Sequence, residues 1–171
     1  MKRALVAIFL VVLTLVVVGC NEKQVQITTP STKNEVALVA FAQQFKQAQQ
    51  EDKYILVDFY TDWCKWCKVL DEKTYPDPKV QELLVKHFVF VKFNPENSVS
   101  YSVNGKQVDG QGVSQSFDVQ GFPTTCFLDK EGNVVGTFSG FVPPETYVKI
   151  LNFVINGDFK KQSLDNFVNG M

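Results

Sequence analysis

The chain has 171 residues, 45% of them hydrophobic and 20% charged, with 17 Lys and Arg set against 18 Asp and Glu for a formal net charge of −1. That balance holds no basic excess with which to grip a phosphate backbone, which argues against nucleic acid as a partner. The length suits one domain and a targeting segment in front of it.

The first element is "MKRALVAIFLVVLTLVVVGC". Two cations, Lys2 and Arg3, precede an uncharged apolar run from Ala4 to Val18 that ends at Gly19 before Cys20. Fifteen residues fall short of the roughly 20 needed to span a bilayer, and the flanks fit an export signal better than an uncleaved anchor. Loss of Lys2 and Arg3 with that signal leaves 15 cations against 18 anions, a mature charge near −3. "VVGC" resembles the lipobox of bacterial lipoproteins, in which the cysteine is acylated and becomes the new N-terminus. The resemblance implies that Cys20 is a lipid anchor and that residues 1–19 are removed. It also implies a protein exported to the periplasmic side and held on a bacterial membrane. The polar stretch 20–33 then reads as a tether, about 20 Å end to end as a flexible coil.

The expected domain covers residues 34–171. In "NEVALVAFAQQFKQAQQEDK", Leu38, Phe41, Ala42, Phe45 and Ala48 recur at helical spacing, with Asn34 as a plausible cap. "YILVDFY" is a nearly continuous apolar strand of the kind buried on both faces of a sheet. A helix follows at the cysteine pair, and the prolines of "YPDPKVQELLVKHF" end it and begin another, with Asp77 as cap and Pro78 at the first helical position. "FVFVKFN" is a second apolar strand. The turn-rich excursion from Pro95 to Gly112 has room for a small hairpin, and a short helix is expected at "VSQSFDV". "TTCFLDKEGNVVGTFSG" reads as two strands about a Gly-Asn turn. Pro144 then starts a helix with Tyr147, Ile150, Leu151 and Val154 on one face, followed by a tail, "GDFKKQSLDNFVNGM". The alternating opening and the closing hairpin predict an α/β fold, a central mixed sheet flanked by helices.

Chemistry concentrates in "TDWCKWCKVL". Cys64 and Cys67 begin a helix directly after a buried strand, where the helix dipole and free amides favour a thiolate at the first cysteine. Cys64 is therefore the candidate nucleophile. Lys65 and Lys68 sit in the first turn, where cations oppose the dipole, and this local conflict is explained if they favour Cys64 as an anion. Cys67, one turn on, is placed to attack a mixed disulfide formed at Cys64. A zinc site would need Cys126 and the single histidine, His87, as its other ligands. An inert structural disulfide would close too short a loop to add much stability. Once Cys20 is set aside, Cys126 is the odd cysteine and reads as buried filler. Asp58, inside an apolar strand, needs compensation for its burial. It is a candidate acid-base group beneath the helix, or else a strand-end aspartate capped by a nearby amide. Lys92 is its natural charge partner, though alone it would pass for a surface lysine.

Taken together and in this order, "VDFYTDWCKWCK", "VKFN" and "VQGFPTTCFLDKEGNVV" resemble the thioredoxin superfamily, over about Glu35 to Asn156. The likeness is greatest to exported thioredoxin-like domains, including the C-terminal domain of the membrane reductase disulfide-bond protein D. What the resemblance implies is a thiol-disulfide oxidoreductase with Cys64 as nucleophile, Cys67 as resolving cysteine, and Asp58 with Lys92 as acid-base pair. Pro123 matches the family's cis-proline, with Phe122 before it offering backbone to an extended substrate and Thr124 continuing the strand. Trp63 and Trp66 are candidates for substrate contact, or for packing on the sheet edge. No metal or organic cofactor is called for.

The implied partners are disulfide-containing exported proteins, with a membrane thiol reductase as electron donor. Reduction is the expected direction because Asp58 and Lys92 match thioredoxin. Oxidase or isomerase activity is the alternative, since Lys-Trp stands between the cysteines where many thioredoxins have Gly-Pro. A third reading, a copper(I)-binding or metal-delivery module using the pair and Cys126, lacks a Met- or His-rich stretch nearby.

Overall fold

The computed structural model describes residues 32–171. The expectations that rest on Lys2, Arg3, the apolar run, Cys20 and the polar stretch up to residue 31 lie outside the described residues. Among the described residues no helix is long and apolar enough to cross a membrane.

Two helices replace the single opening helix read from the periodicity, α1 (Thr32–Ala40) and α2 (Ala42–Glu51). Asn34, expected as the cap, lies within α1 instead of before it. Between them Phe41 leaves helical geometry at φ −119°, ψ 31°. The break lets the two helices aim different faces inward. Val36 and Ala37 of α1 are buried, Phe41, Phe45 and Ala48 remain buried, and Leu38 and Ala42 turn out exposed. A straight 3.6-residue period could not satisfy both contacts, and the periodicity therefore misassigned two positions.

The central sheet has the order β2-β1-β5-β6. Its strands are β1 (Tyr54–Phe59), β2 (Phe88–Phe93), β5 (Thr124–Leu128) and β6 (Val134–Ser139). β1 runs parallel to β2 and antiparallel to β5, which pairs antiparallel with β6. This is the mixed sheet expected. The interior strands β1 and β5 carry the continuous apolar runs, whereas β2 lies at the edge and leaves Phe90 exposed. Helix α3 (Lys65–Lys73) follows β1, and α4 (Pro78–His87) starts on Asp77, whose carboxylate accepts from the amides of Lys79 and Val80 as the Asp-Pro pair predicts.

The excursion holds the hairpin, β3 (Ser100–Val103) with β4 (Lys106–Asp109), turned at Asn104 and Gly105, both with positive φ. It packs Val103 into the core beside α1 and leads into α5 (Gly110–Ser116). After α6 (Pro144–Ile155), the tail forms a short 3-10 turn and α7 (Leu164–Asn169). Leu164 is buried against Gly136 of β6, and Phe167 stacks on Phe153 at 4.6 Å. The tail is thus part of the packed domain.

Side chains alternate across the sheet and so divide the core in two. Ile55, Val57, Phe59, Cys126 and Leu128 face α1, α2 and α5. Leu56 and Phe127 face Leu70 of α3, Leu84 of α4 and Ile150 of α6. Asp58 and Thr125, register partners across β1 and β5, share the parity of this second face.

Candidate active site

The site grows from the C-terminal end of β1. The strand ends at Phe59, and the Cys64 amide donates to the Thr61 carbonyl at 3.1 Å, closing the turn that launches α3. Cys64 is the N-cap of α3, and its sulfur accepts from the Cys67 amide at 3.1 Å. The two cysteines form a disulfide with Cα atoms 5.3 Å apart. Both are nearly enclosed, Cys64 at 4% exposure and Cys67 at 1%, so the first sulfur is the more approachable. A helix amide aimed at Cys64 is the donor a thiolate there requires once the bond is reduced.

Aromatic side chains flank the disulfide. Trp63 is 67% exposed, lies edge-on to Phe122 at 5.9 Å and donates its indole N–H to Glu96 Oε1 at 2.9 Å. Trp66 is 55% exposed and stacks on Phe141 at 5.8 Å. Each therefore leans on a neighbouring loop and keeps a free face. The Phe122–Pro123 peptide bond is cis. Thr124 follows in β5, its hydroxyl donating to the Gly121 carbonyl at 2.7 Å. The Trp63–Phe122 contact brings this loop against the cysteine turn.

Beneath the helix, Asp58 is entirely buried. Lys92, its register partner on β2, places its ammonium 3.2 Å from Asp58 Oδ2. Neither carboxylate oxygen accepts an aligned hydrogen bond. Burial dominates and raises the Asp58 pKa to about 6, Lys92 and the nearby Tyr75 hydroxyl holding it down and the Asp71 carboxylate adding to the rise. Asp71 was missed in the sequence although it follows Cys67 by four residues, a spacing that puts both on one helix face. It takes the Lys92 ammonium in a closer ion pair than Asp58 does. Burial works against the Lys92 charge, but the two carboxylates more than offset it and raise its pKa. The ammonium also sits over the Tyr60 ring at 4.7 Å and the Tyr75 ring at 5.6 Å.

A crevice of about 350 Å³ runs between Asp71 and Cys67, lined also by Tyr60, Thr61, Asp62 and Lys68. Lys92→Met removes the cation that favours ionised Asp58, and we expect the Asp58 titration to move above pH 6, read from its carboxyl carbon by NMR. An unmoved midpoint would show that Asp71 already neutralises Lys92.

The metal alternatives do not assemble. Cys126 is buried on the opposite face of the sheet from Asp58. His87 lies at the other end of β2 from Lys92 and Phe93, in a cleft with Tyr54 and Asp129. Among the described residues no group of three or more His, Cys, Asp or Glu is arranged to hold a metal ion.

A family model described as a thioredoxin-like domain matches residues 41–155. The thiol:disulfide interchange protein DsbD of Vibrio vulnificus (strain CMCP6) is 31% identical over 116 residues, 67% of this chain but 18% of that protein. The chloroplastic thioredoxin-like protein HCF164 of Arabidopsis thaliana is 30% identical over 127 residues, 74% of this chain and 42% of that one. The chain therefore spans well under two thirds of either relative. A thioredoxin-fold protein from Helicobacter pylori superimposes with TM-score 0.58 at 19% identity, covering 70% of this chain and 81% of that one, a likeness of fold.

Proposed function

The chain belongs to the thioredoxin-like family, and from that premise we propose that it is a thiol-disulfide oxidoreductase that reduces disulfides of exported proteins while tethered to a membrane through acylated Cys20. In the reduced state Cys64 is the thiolate, held by the Cys67 amide and the α3 dipole. It attacks one sulfur of a substrate disulfide. A Cys64–substrate bond forms, the substrate bond breaks, and the other substrate sulfur leaves as a thiolate that takes a proton from water. Cys67 then gives its proton to Asp58 and attacks the Cys64 sulfur, releasing the second substrate thiol. Two electrons pass from the dithiol to the substrate, and the oxidised pair is the product state. A membrane thiol reductase restores the dithiol.

Trp63, Trp66, Phe122, Pro123 and Thr124 form the substrate-facing rim in this reading. Residues 1–19 act as the cleaved leader, 20–33 as the tether and 34–171 as the working domain. The observation that supports it most is the ion pair of buried Asp58 with Lys92, which is also held by Asp71 of α3, the helix that carries the cysteine pair at its N-terminus. A base with a raised proton affinity suits deprotonation of a buried thiol.

The test is the equilibrium potential of the Cys64–Cys67 pair in a glutathione series, with Cys126→Ala as control. A value near about −270 mV supports a reductase, and one near about −120 mV makes the protein a disulfide donor instead.

A further inference from the structure

The carboxylate of Glu96 reaches the rim of the disulfide site from a rigid base. The end of β2 is joined to the cysteine turn where the Phe93 carbonyl accepts from the Tyr60 amide at 3.0 Å. Asn94 follows, 4% exposed, and fixes the next turn. Its Oδ1 accepts from the Glu96 amide at 2.9 Å, and its carbonyl accepts from the Asn97 amide at 3.3 Å. Pro95 between them is buried, and a Cβ at Gly110 would lie 2.4 Å from the Pro95 carbonyl oxygen, so the two ends of the hairpin excursion close on each other. Glu96 itself is exposed, and its Oε1 accepts from the Trp63 indole N–H at 2.9 Å. A neutral acceptor would hold that indole as well, whereas a carboxylate brings a charge and leaves Oε2 for a second donor. Among the described residues no cation takes Glu96 in an ion pair.

We propose that Glu96 and the open face of Trp63 form a subsite for a cationic side chain, arginine or lysine, next to the cysteine of the substrate disulfide. The inference rests on Trp63 and Phe122 belonging to the substrate-facing rim of the proposed reaction. Trp63 meets Phe122 edge-on at 5.9 Å and is 67% exposed, so a segment laid along the loop before Pro123 passes its ring. A guanidinium or ammonium there gains from the indole face, the best aromatic face for a cation, and from the carboxylate held beside it. Asp62, exposed and adjacent to Trp63 in the chain, adds to the negative potential. Past Cys64 the sign changes, with exposed Lys65 and Lys68 in the first turn of α3. The exposed charges thus reverse at the nucleophile, an arrangement that selects a charged segment and also orients it.

The experiment measures exchange of the chain with synthetic peptide disulfides that are identical except for arginine or glutamate beside one cysteine, scanned on both flanks. The parent should favour the arginine peptide by about tenfold in kcat/KM, carried by KM, and the ratio should shrink as salt is raised. Glu96→Gln keeps an acceptor for the indole and should lose most of the preference. Glu96→Lys should reverse it. A carboxylate that serves only to order Trp63 would instead leave the ratio in place in Glu96→Gln. A ratio unchanged in both variants, or a parent without a preference on either flank, overturns the proposal. The same ratio is read in the opposite direction, with the oxidised chain and the reduced peptides. A protein that donates disulfides therefore still shows or lacks the charge preference, and failure of the subsite is separate from failure of the reductase reading, which the potential decides.

Discussion

Cys67→Ser turns the protein into a covalent trap: mixed with a disulfide substrate, it accumulates a Cys64–substrate adduct visible by mass spectrometry, and steady-state turnover drops by at least about 10³-fold. Proximity is the cause. Cys67 sits one helical turn from Cys64, with the two Cα atoms 5.3 Å apart. Well-oriented intramolecular groups act at effective concentrations of about 10⁵ M or more, which dissolved thiols at millimolar levels do not replace. Cys64→Ser should form no adduct, because Cys67 is the more enclosed residue and the helix amide is directed at Cys64. An adduct on Cys67 in Cys64→Ser, forming as fast as the one on Cys64, would reverse the assignment of nucleophile and resolving thiol.

Asp58→Asn should stabilise the fold near neutral pH while slowing release of the mixed disulfide. The carboxyl titrates at about 6 in the folded protein against 3.8 for the unperturbed group. The folded state thus binds the proton more tightly than the unfolded state does. This group costs nothing below about pH 4, its penalty grows as pH rises toward 6, and it is complete above that, at about 3 kcal/mol. Asparagine keeps the shape and never ionises, so urea unfolding of the oxidised protein should favour the variant by about 2–3 kcal/mol at pH 7.5 and by little at pH 4. Loss of the base should slow the second chemical step by about 10²-fold or more. Equal stability of variant and parent at pH 7.5 would mean that Lys92 compensates the buried charge in full. The same carboxylate then weakens the fold and serves the reaction, a trade of the kind expected at functional sites.

The parts of this arrangement visible in the sequence are those coded by neighbours along the chain. The apolar run from Tyr54 to Phe59 marks an interior strand, Asp77-Pro78 marks a helix start, and Cys64-Lys-Trp-Cys67 at a strand-to-helix junction marks the redox pair. Asp58 and Lys92 stood out because a charge inside an apolar strand demands a partner. Asp71, Tyr75 and Tyr147 did not. Helical periodicity puts Tyr147 on the buried face of its helix, where the structure has it, but periodicity reports burial and is silent about where a hydroxyl ends. Tyr75 lies in an irregular junction with no period at all, and its meeting with Tyr147 joins residues 72 positions apart. The break in the opening helix at Phe41 escapes the periodicity for a related reason. It is imposed by the need to pack on Phe93 and Phe117, contacts made with distant strands and helices.

Trp63 and Trp66 are the only tryptophans in the chain, and both stand beside the disulfide with more than half of each residue exposed. Intrinsic fluorescence is accordingly an optical probe of one small neighbourhood. It responds to the oxidation state of the sulfur pair and to whatever docks upon it, well before it registers the two halves of the core. A melting curve followed at tryptophan wavelengths would therefore describe the rim, and the cooperative collapse of the sheet has to be followed by far-ultraviolet circular dichroism.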